Sequence, residues 1–323
     1  LSPGALSDYP SIGAAIRSIR PGEETFIFLK KGVYREKVEL RVPGLRIVGE
    51  DPESTRLVYG DGALKPLEDG SSMGTFNSFT LLVGAPDARI ENLTIENSAG
   101  DGRVAGQAVA LYADADRLSL IGCRLLGCQD TLCTGPLPRD PLPKGVNARH
   151  SFEGYDREPA IRSQRQYYEG CFIRGDIDFI FGGATAYFQG CEISSRDRGE
   201  EVNGFVTAAS TYPGELGGFV FSDCRFTSEA AKESVFLGRP WRDHARTVLV
   251  DCWLGPHVKK EGWHDWDKPS AREASYYAEL GSKGPGADPA SRVPWAKALG
   301  EADRPRYAIE RVLSGTDGWE PRR

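Results

Sequence analysis

Apolar and polar residues alternate with a period of two along most of this chain, in short runs broken by Gly, Asn or Asp. That pattern belongs to strands with one face buried. Strands are predicted at residues 25–29, 33–40 (after the turn Lys31-Gly32), 45–49 and 80–84, then repeatedly from Ile90 to about residue 255. Both ends depart from this rhythm. Residues 7–19 place Ile12, Ala15, Ile16 and Ile19 at helical spacing and predict a short amphipathic helix. After residue 255 loops dominate, with helices predicted near 292–299 and 307–313. As terminal caps, these would cover the open end of the fold.

Aligning the strands exposes an internal repeat in segments 88–95, 118–125, 166–173, 186–193, 219–226 and 248–254. Each has apolar alternation, a turn residue (Asn, Gly or Asp), then a small apolar slot. Cys123, Cys171, Cys191, Cys224 and Cys252 share the slot that Leu93 fills in the first copy, at intervals of 20 to 48 residues. Irregular spacing of equivalent slots predicts a solenoid with loops of variable length. A right-handed parallel β-helix fits best, because strands stacked about 4.8 Å apart place like residues in interior ladders. The expectation is one domain over residues 1–323, all-β, with a short N-terminal capping helix. A cysteine column reads as packing by free thiols, since Leu fills the slot equally well. Disulfides between rungs are the alternative, as Cα separations of about 4.4–6.8 Å permit them. A thiolate metal site is disfavoured, because no C-x-x-C or His cluster accompanies the column.

Segment 134–164 interrupts the repeat with Pro136, Pro138, Pro141 and Pro143 and no periodicity. An aperiodic insertion this long is functional or mobile. Its position just after Asp130 suggests a lid over a cleft.

Composition narrows the function classes. The 38 glycines and 21 prolines suit many turns and short elements. A net charge of −6 without blocks of like charge argues against a nucleic-acid surface. No apolar run is long enough to predict a membrane-spanning helix.

The chemistry begins at Gly175-Asp176-Ile177-Asp178-Phe179-Ile180-Phe181-Gly182. Ile177, Phe179, Ile180 and Phe181 are apolar on both parities, so this strand is expected to be buried on both faces. An ionised Asp178 within it is costly unless a cation or donors offset the desolvation. Asp176, beside Gly175, reads as a turn cap. Candidate partners, each polar within strand-like sequence, are Gln129-Asp130-Thr131-Leu132, Leu237-Gly238-Arg239-Pro240-Trp241 and Gln107-Ala108-Val109-Ala110-Leu111.

These blocks, in this order and together with Gly32-Val33-Tyr34-Arg35-Glu36, Gly262-Trp263, Tyr277-Ala278-Glu279, Gly284-Pro285-Gly286 and Arg292-Val293-Pro294-Trp295, resemble the pectin methylesterases, or pectinesterases. The resemblance covers nearly the whole chain. It implies a right-handed parallel β-helix that removes methyl groups from methyl-esterified homogalacturonan and releases methanol. Carried over residue by residue, Asp178 resembles the nucleophile. Asp130 resembles the general acid, and later base. Gln107 and Gln129 resemble the oxyanion-stabilising pair, and Arg239 the cation that holds Asp178 ionised. Trp241 and Trp263 resemble the aromatic platform for sugar rings, with Phe181 lining the same cleft. Neither a metal nor a cofactor is implied. The partner is a methylated galacturonan or its oligomers, the chain is expected to be a monomer, and the polymer is extracellular. That points to a secreted enzyme, with a cytoplasmic one acting on imported oligomers as the alternative. Cys133 and Tyr112 stand where the family commonly carries Tyr and Arg, and segment 134–164 is longer than in plant-type members.

Three other readings compete. Gly70-Ser71-Ser72-Met73-Gly74 matches the G-x-S-x-G of serine hydrolases, but its flanks read as loop and strand, whereas a nucleophile elbow needs strand then helix. A lyase or polygalacturonase could use the same fold. Glycosidases also use two carboxylates, while a calcium-dependent lyase wants more acidic ligands than Asp130 and Asp178 supply. A non-catalytic carbohydrate-binding β-helix would use the tryptophans alone.

Overall fold

The computed structural model describes residues 8–20, 25–136, 164–215 and 217–322. Among the described residues, successive strands do not pair with each other, except the last two, Tyr276–Leu280 and Lys297–Ala298. Each pairs in parallel with the strand one coil earlier, giving three sheets of ten, eight and seven strands. The first sheet runs from Phe26–Leu29 to Lys297–Ala298, the second from Gly32–Tyr34 to Trp253–Leu254, and the third from Val38–Leu40 to Val235–Gly238. This is a parallel β-helix, of the right-handed sense that parallel crossovers take.

The repeat is explained by one turn. Asn92, Gly122, Gly170, Gly190, Asp223 and Asp251 all have φ between 52° and 60°, at the corner between the first and second sheets. L-residues resist this left-handed conformation; Gly has no such penalty, and Asn and Asp bear it best. The following slot turns inward. All seven cysteines are free and buried, so packing prevails over disulfides. Each column thiol also donates a weak hydrogen bond to a carbonyl one coil back, for example Cys191 to Tyr168 at 3.4 Å and Cys224 to Phe188 at 3.4 Å. Beside it, the rings of Tyr168, Phe188 and Phe221 stack with centroids 4.6 and 4.4 Å apart.

The ends differ in detail from expectation. The N-terminal helix spans only Ile12–Ser18, with the Ser11 side chain accepting from the Ala14 amide and Glu36 accepting from the Ile12 and Gly13 amides. Residues predicted as one strand from 33 to 40 split into Gly32–Tyr34 and Val38–Leu40, in different sheets, because the chain turns a corner between them. The segment near 292–299 is not helical. Pro294 removes an amide, and Arg292 instead closes the C-terminal end of the core through a buried fork to Glu279 (2.6 Å). The predicted helix at 307–313 is reduced to Ile309–Val312 after a 3₁₀ stretch, Glu301–Tyr307. It packs on the outer face of the first sheet, against Tyr167, Tyr187 and Val220, rather than over the open end. The proposed lid lies almost entirely outside the described residues.

Candidate active site

The third sheet gathers the sequence-predicted residues. Leu111 pairs with Leu132, Leu132 with Ile180, Ile180 with Thr207 and Thr207 with Gly238, so residues far apart in sequence lie on adjacent coils. Where the chain enters these strands, the Ala108 amide donates to Gln129 (3.1 Å) and the Asp130 amide to Ile177 (3.0 Å); where it leaves Val235–Gly238, the Arg239 amide donates to Thr207 (2.9 Å). The ladder therefore carries Gln107, Gln129, Asp130, Asp178 and Arg239 on neighbouring coils.

Two backbone features aim the carboxylates. Asp130 and Asp178 are both left-handed, with φ of 63° and 50°. Asp178 also sits where pairing with the strand Gly204–Ala209 slips, between Ile177 and Ile180. Bulges of this kind re-aim side chains beside active sites. Both residues are buried.

Arg239 grips Asp178 with two parallel bonds, Nε to Oδ1 at 2.8 Å and Nη2 to Oδ2 at 2.7 Å. The fork is held from both faces: the guanidinium carbon lies 3.9 Å from the centre of the Phe205 ring and 3.8 Å from that of Trp266. Gly238, just before Arg239, must lack a side chain, since a Cβ there would fall 2.0 Å from the Thr207 hydroxyl.

Burial pushes the Asp178 carboxyl above its usual range despite Arg239, so desolvation outweighs the guanidinium. Arg239 limits the rise without reversing it. Asp130 is pushed well above the usual range, first by burial and then by the charge of Asp178, with Arg239 opposing. Its carboxyl accepts no hydrogen bond among the described residues. The pair therefore divides into a forked carboxylate and an acid that keeps its proton to higher pH.

The half-buried amides of Gln107 and Gln129 have no hydrogen-bond partner among the described residues, which leaves their donors for a ligand. A small residue is needed next to them, because a Cβ on Gly102 would fall 2.7 Å from Gln129 Oε1. Phe181 is nearly covered, with the half-buried Trp241 edge-on to it at 5.7 Å and Phe76 at 6.4 Å from each. Trp241 is the partly open ring of this wall.

Trp263 does not belong to it. It is 1% exposed, inside the core, stacked 4.4 Å from Tyr277, and cannot lie under a sugar. Its backbone pairs beside Gly238, which turns its side chain into the solenoid. Three residues later, Trp266 takes the outward place over Arg239. Phe76, Phe205, Trp266 and Lys268 were not singled out from sequence. The spacing Trp263-His264-Asp265-Trp266 was the available signal, since an inward ring and an outward ring are both present in it.

Ser72 is exposed in a loop bridged to Pro66, with a strand-like sequence and a 3₁₀ turn after it, so there is no nucleophile elbow. His264, Asp265 and Asp267 cluster, but Asp265 pairs with Arg272 (2.6 Å) and His264 Nδ1 accepts from the Trp266 amide (2.9 Å), so these donors are engaged internally.

The sequence profile of the family described as Pectinesterase matches residues 3–136 and 143–316. Pectinesterase 31 of Arabidopsis thaliana is 32% identical over 93% of this chain and 86% of its own length. Against pectinesterase 2 of Citrus sinensis the identity is 30% over 88% of this chain, but only 50% of that longer relative is spanned. The pectin methylesterase from Erwinia chrysanthemi superposes with a TM-score of 0.78 at 26% identity, covering 99% of this chain and 97% of that one. A pectin methylesterase mutant solved with a hexasaccharide gives 0.77 at 26%, over 97% and 94%. With a family match over most of its length and a β-helix shared with solved members, this chain belongs to the pectinesterase family, whose members are pectin-de-esterifying enzymes.

Proposed function

We propose that the chain hydrolyses methyl esters of homogalacturonan through an acyl-enzyme formed on Asp178. A carboxylate oxygen of Asp178 attacks the ester carbonyl carbon, and the carbonyl electrons move onto oxygen. The amides of Gln107 and Gln129 donate to that oxyanion without bringing charge of their own. Collapse of the tetrahedral intermediate breaks the bond to methoxide, which takes the proton of Asp130 and leaves as methanol. Asp130, now a carboxylate, draws a proton from water. The water oxygen attacks the acyl carbon, the anhydride bond to Asp178 breaks, and a free galacturonate carboxyl remains. Splitting one difficult displacement into two is the gain of covalent catalysis.

The observation that carries this reading is the asymmetric acid pair: a carboxylate held by a bidentate guanidinium, next to an acid whose proton is retained by burial and by that same carboxylate. Trp241 supplies the face against which a sugar ring packs. Because the polymer lies outside cells, an extracellular site of action follows from the same proposal. The test is methanol release from highly esterified pectin by the native chain and by Asp178→Asn and Asp130→Asn. Both variants are expected to lose at least about 10³-fold while remaining folded, the scale of loss when a residue of a cooperating catalytic set is removed. Methanol release by Asp178→Asn at native rates would end the proposal. New reducing ends or unsaturated products would instead favour a glycosidase or lyase.

A further inference from the structure

Lys268 is half-buried just before the short helix Pro269–Ala274. Its ammonium donates to the carbonyls of Pro240 (2.9 Å) and Trp241 (3.0 Å) and lies 5.0 Å from the centre of the Trp266 ring. These two carbonyls belong to the turn that begins at Arg239. The turn is tied on its other side by the amides of Trp241 and Arg242, both donating to Ala209. The lysine is reached through an unusual backbone: Trp266 and Asp267 are consecutive left-handed residues, with φ of 57° and 54°. Non-glycine residues in that conformation cost of order 1–3 kcal/mol and gather at functional sites.

Half-burying an ammonium is costly, and Lys268 forms no ion pair among the described residues. Burial and the nearby charges of Arg242 and Arg239 push its pKa down, while Asp243 and Asp178 pull it up. The cation is therefore held against the cost of its burial, on the turn that begins at Arg239 and near enough to Asp178 to favour its charged form. Among the described residues, the charged and titratable groups that act on Asp178 or feel its charge are Arg239, Lys268, Asp130 and the buried hydroxyl of Tyr277.

We propose that Lys268 is a positioning residue for the reaction: its ammonium pins the Arg239–Trp241 turn in place and adds a second positive charge to the field that keeps Asp178 anionic. This rests on Asp178 being the nucleophile.

The test compares the native chain with Lys268→Gln, Lys268→Met and Lys268→Arg, reading kcat and KM for methanol release from esterified pectin between pH 4 and 9. Lys268→Gln can still donate to the turn but has no charge; Lys268→Met lacks both; Lys268→Arg restores the charge. Removing a cation near Asp178 favours its protonated form, so the acid limb of kcat/KM moves to higher pH in Lys268→Gln and returns in Lys268→Arg. Lys268→Met adds a fall in kcat of roughly 10- to 100-fold, the scale of a small misplacement of reacting groups. Should Lys268→Gln, which retains a donor and hence the fold, show an acid limb superimposed on the native one, the inference is overturned. Asp178→Asn separates this from the mechanism beneath it: full activity there removes the nucleophile, whereas an inactive Asp178→Asn with an unmoved Lys268→Gln limb removes only the role of Lys268.

Discussion

Replacing Arg239 with Ala tests the central contact. The guanidinium makes two charge-assisted bonds to Asp178, at 2.8 and 2.7 Å, and its side chain is 18% exposed against 9% for the carboxylate. Removing one partner of a fully buried pair costs about 3–5 kcal/mol. Residual solvent access at Arg239 argues for the lower end, about 3 kcal/mol. At about 1.4 kcal/mol per decade, that is roughly 10²-fold in kcat/KM at neutral pH if the whole loss falls on the anion that attacks. The pH dependence follows with a definite sign. Burial already raises the Asp178 carboxyl, and without Arg239 nothing of comparable strength opposes it. The acid limb therefore moves to higher pH. A raised carboxyl binds more protons folded than unfolded, so the variant loses stability as pH rises toward neutral, and its melting-temperature deficit widens over that range. Arg239→Lys keeps a charge but neither the fork nor the flat fit between Phe205 and Trp266, and is expected to fall between native and Ala. The assay is methanol release against pH with thermal melts at matched pH. A loss below tenfold for Arg239→Ala at every pH would refute the reasoning.

Other outcomes are expected elsewhere. His257 is buried, neither ring nitrogen has a hydrogen-bond partner among the described residues, and burial lowers its pKa from 6.5 to about 4. The unfolded chain thus binds the extra proton first, and stability is lost as pH falls from about 6.5 to 4, by at most about 3 kcal/mol. His257→Phe should flatten that part of a melting-temperature profile, and an unchanged slope would count against it. All seven thiols are buried and free, so a chromogenic thiol reagent should find almost none in the native protein and seven after denaturation. Fewer than seven without reductant would reveal disulfides. Trp263→Ala should cost about 3–5 kcal/mol in stability, as large core truncations do, and Trp241→Ala should chiefly raise KM. The reverse allocation would restore Trp263 to the cleft.

Much of this was legible because a β-helix writes its period into the sequence. The corner residues Asn92, Gly122, Gly170, Gly190, Asp223 and Asp251 and the cysteine slot follow a backbone requirement that recurs each coil. Asp130, Asp178 and Arg239 stood out as polar residues in apolar strands, which is itself an energetic anomaly. The Arg239 sandwich did not stand out, because aromatic residues in strands are ordinary and only the register brings Phe205 beside it. Trp263 and Trp266 could not be told apart without knowing which way the chain faces after Gly262. Beyond residue 255 the errors share one cause: pairing shrinks to the strands Tyr276–Leu280 and Lys297–Ala298 and a few isolated bridges, so side-chain contacts such as Arg292 with Glu279 decide the path, and local periodicity does not report them.

The left-handed aspartates also separate structural from chemical carboxylates by a simple argument. Asp223 and Asp251 share the corner with Asn92 and three glycines, so the backbone conformation alone accounts for them and the side chain is free to vary. Asp223 is exposed, and Asp251 reaches outward to pair with Arg304. Asp130 and Asp178 adopt the same conformation where the chain enters the third sheet, where Asn or Gly would serve the backbone as well and at no cost in buried charge. Both are nonetheless carboxylates, 8% and 6% exposed, each raising the price of folding that a neutral residue would avoid. Left-handed geometry explains why a short polar residue stands at these two positions. The acyl transfer proposed above requires both to be acids, which the backbone does not.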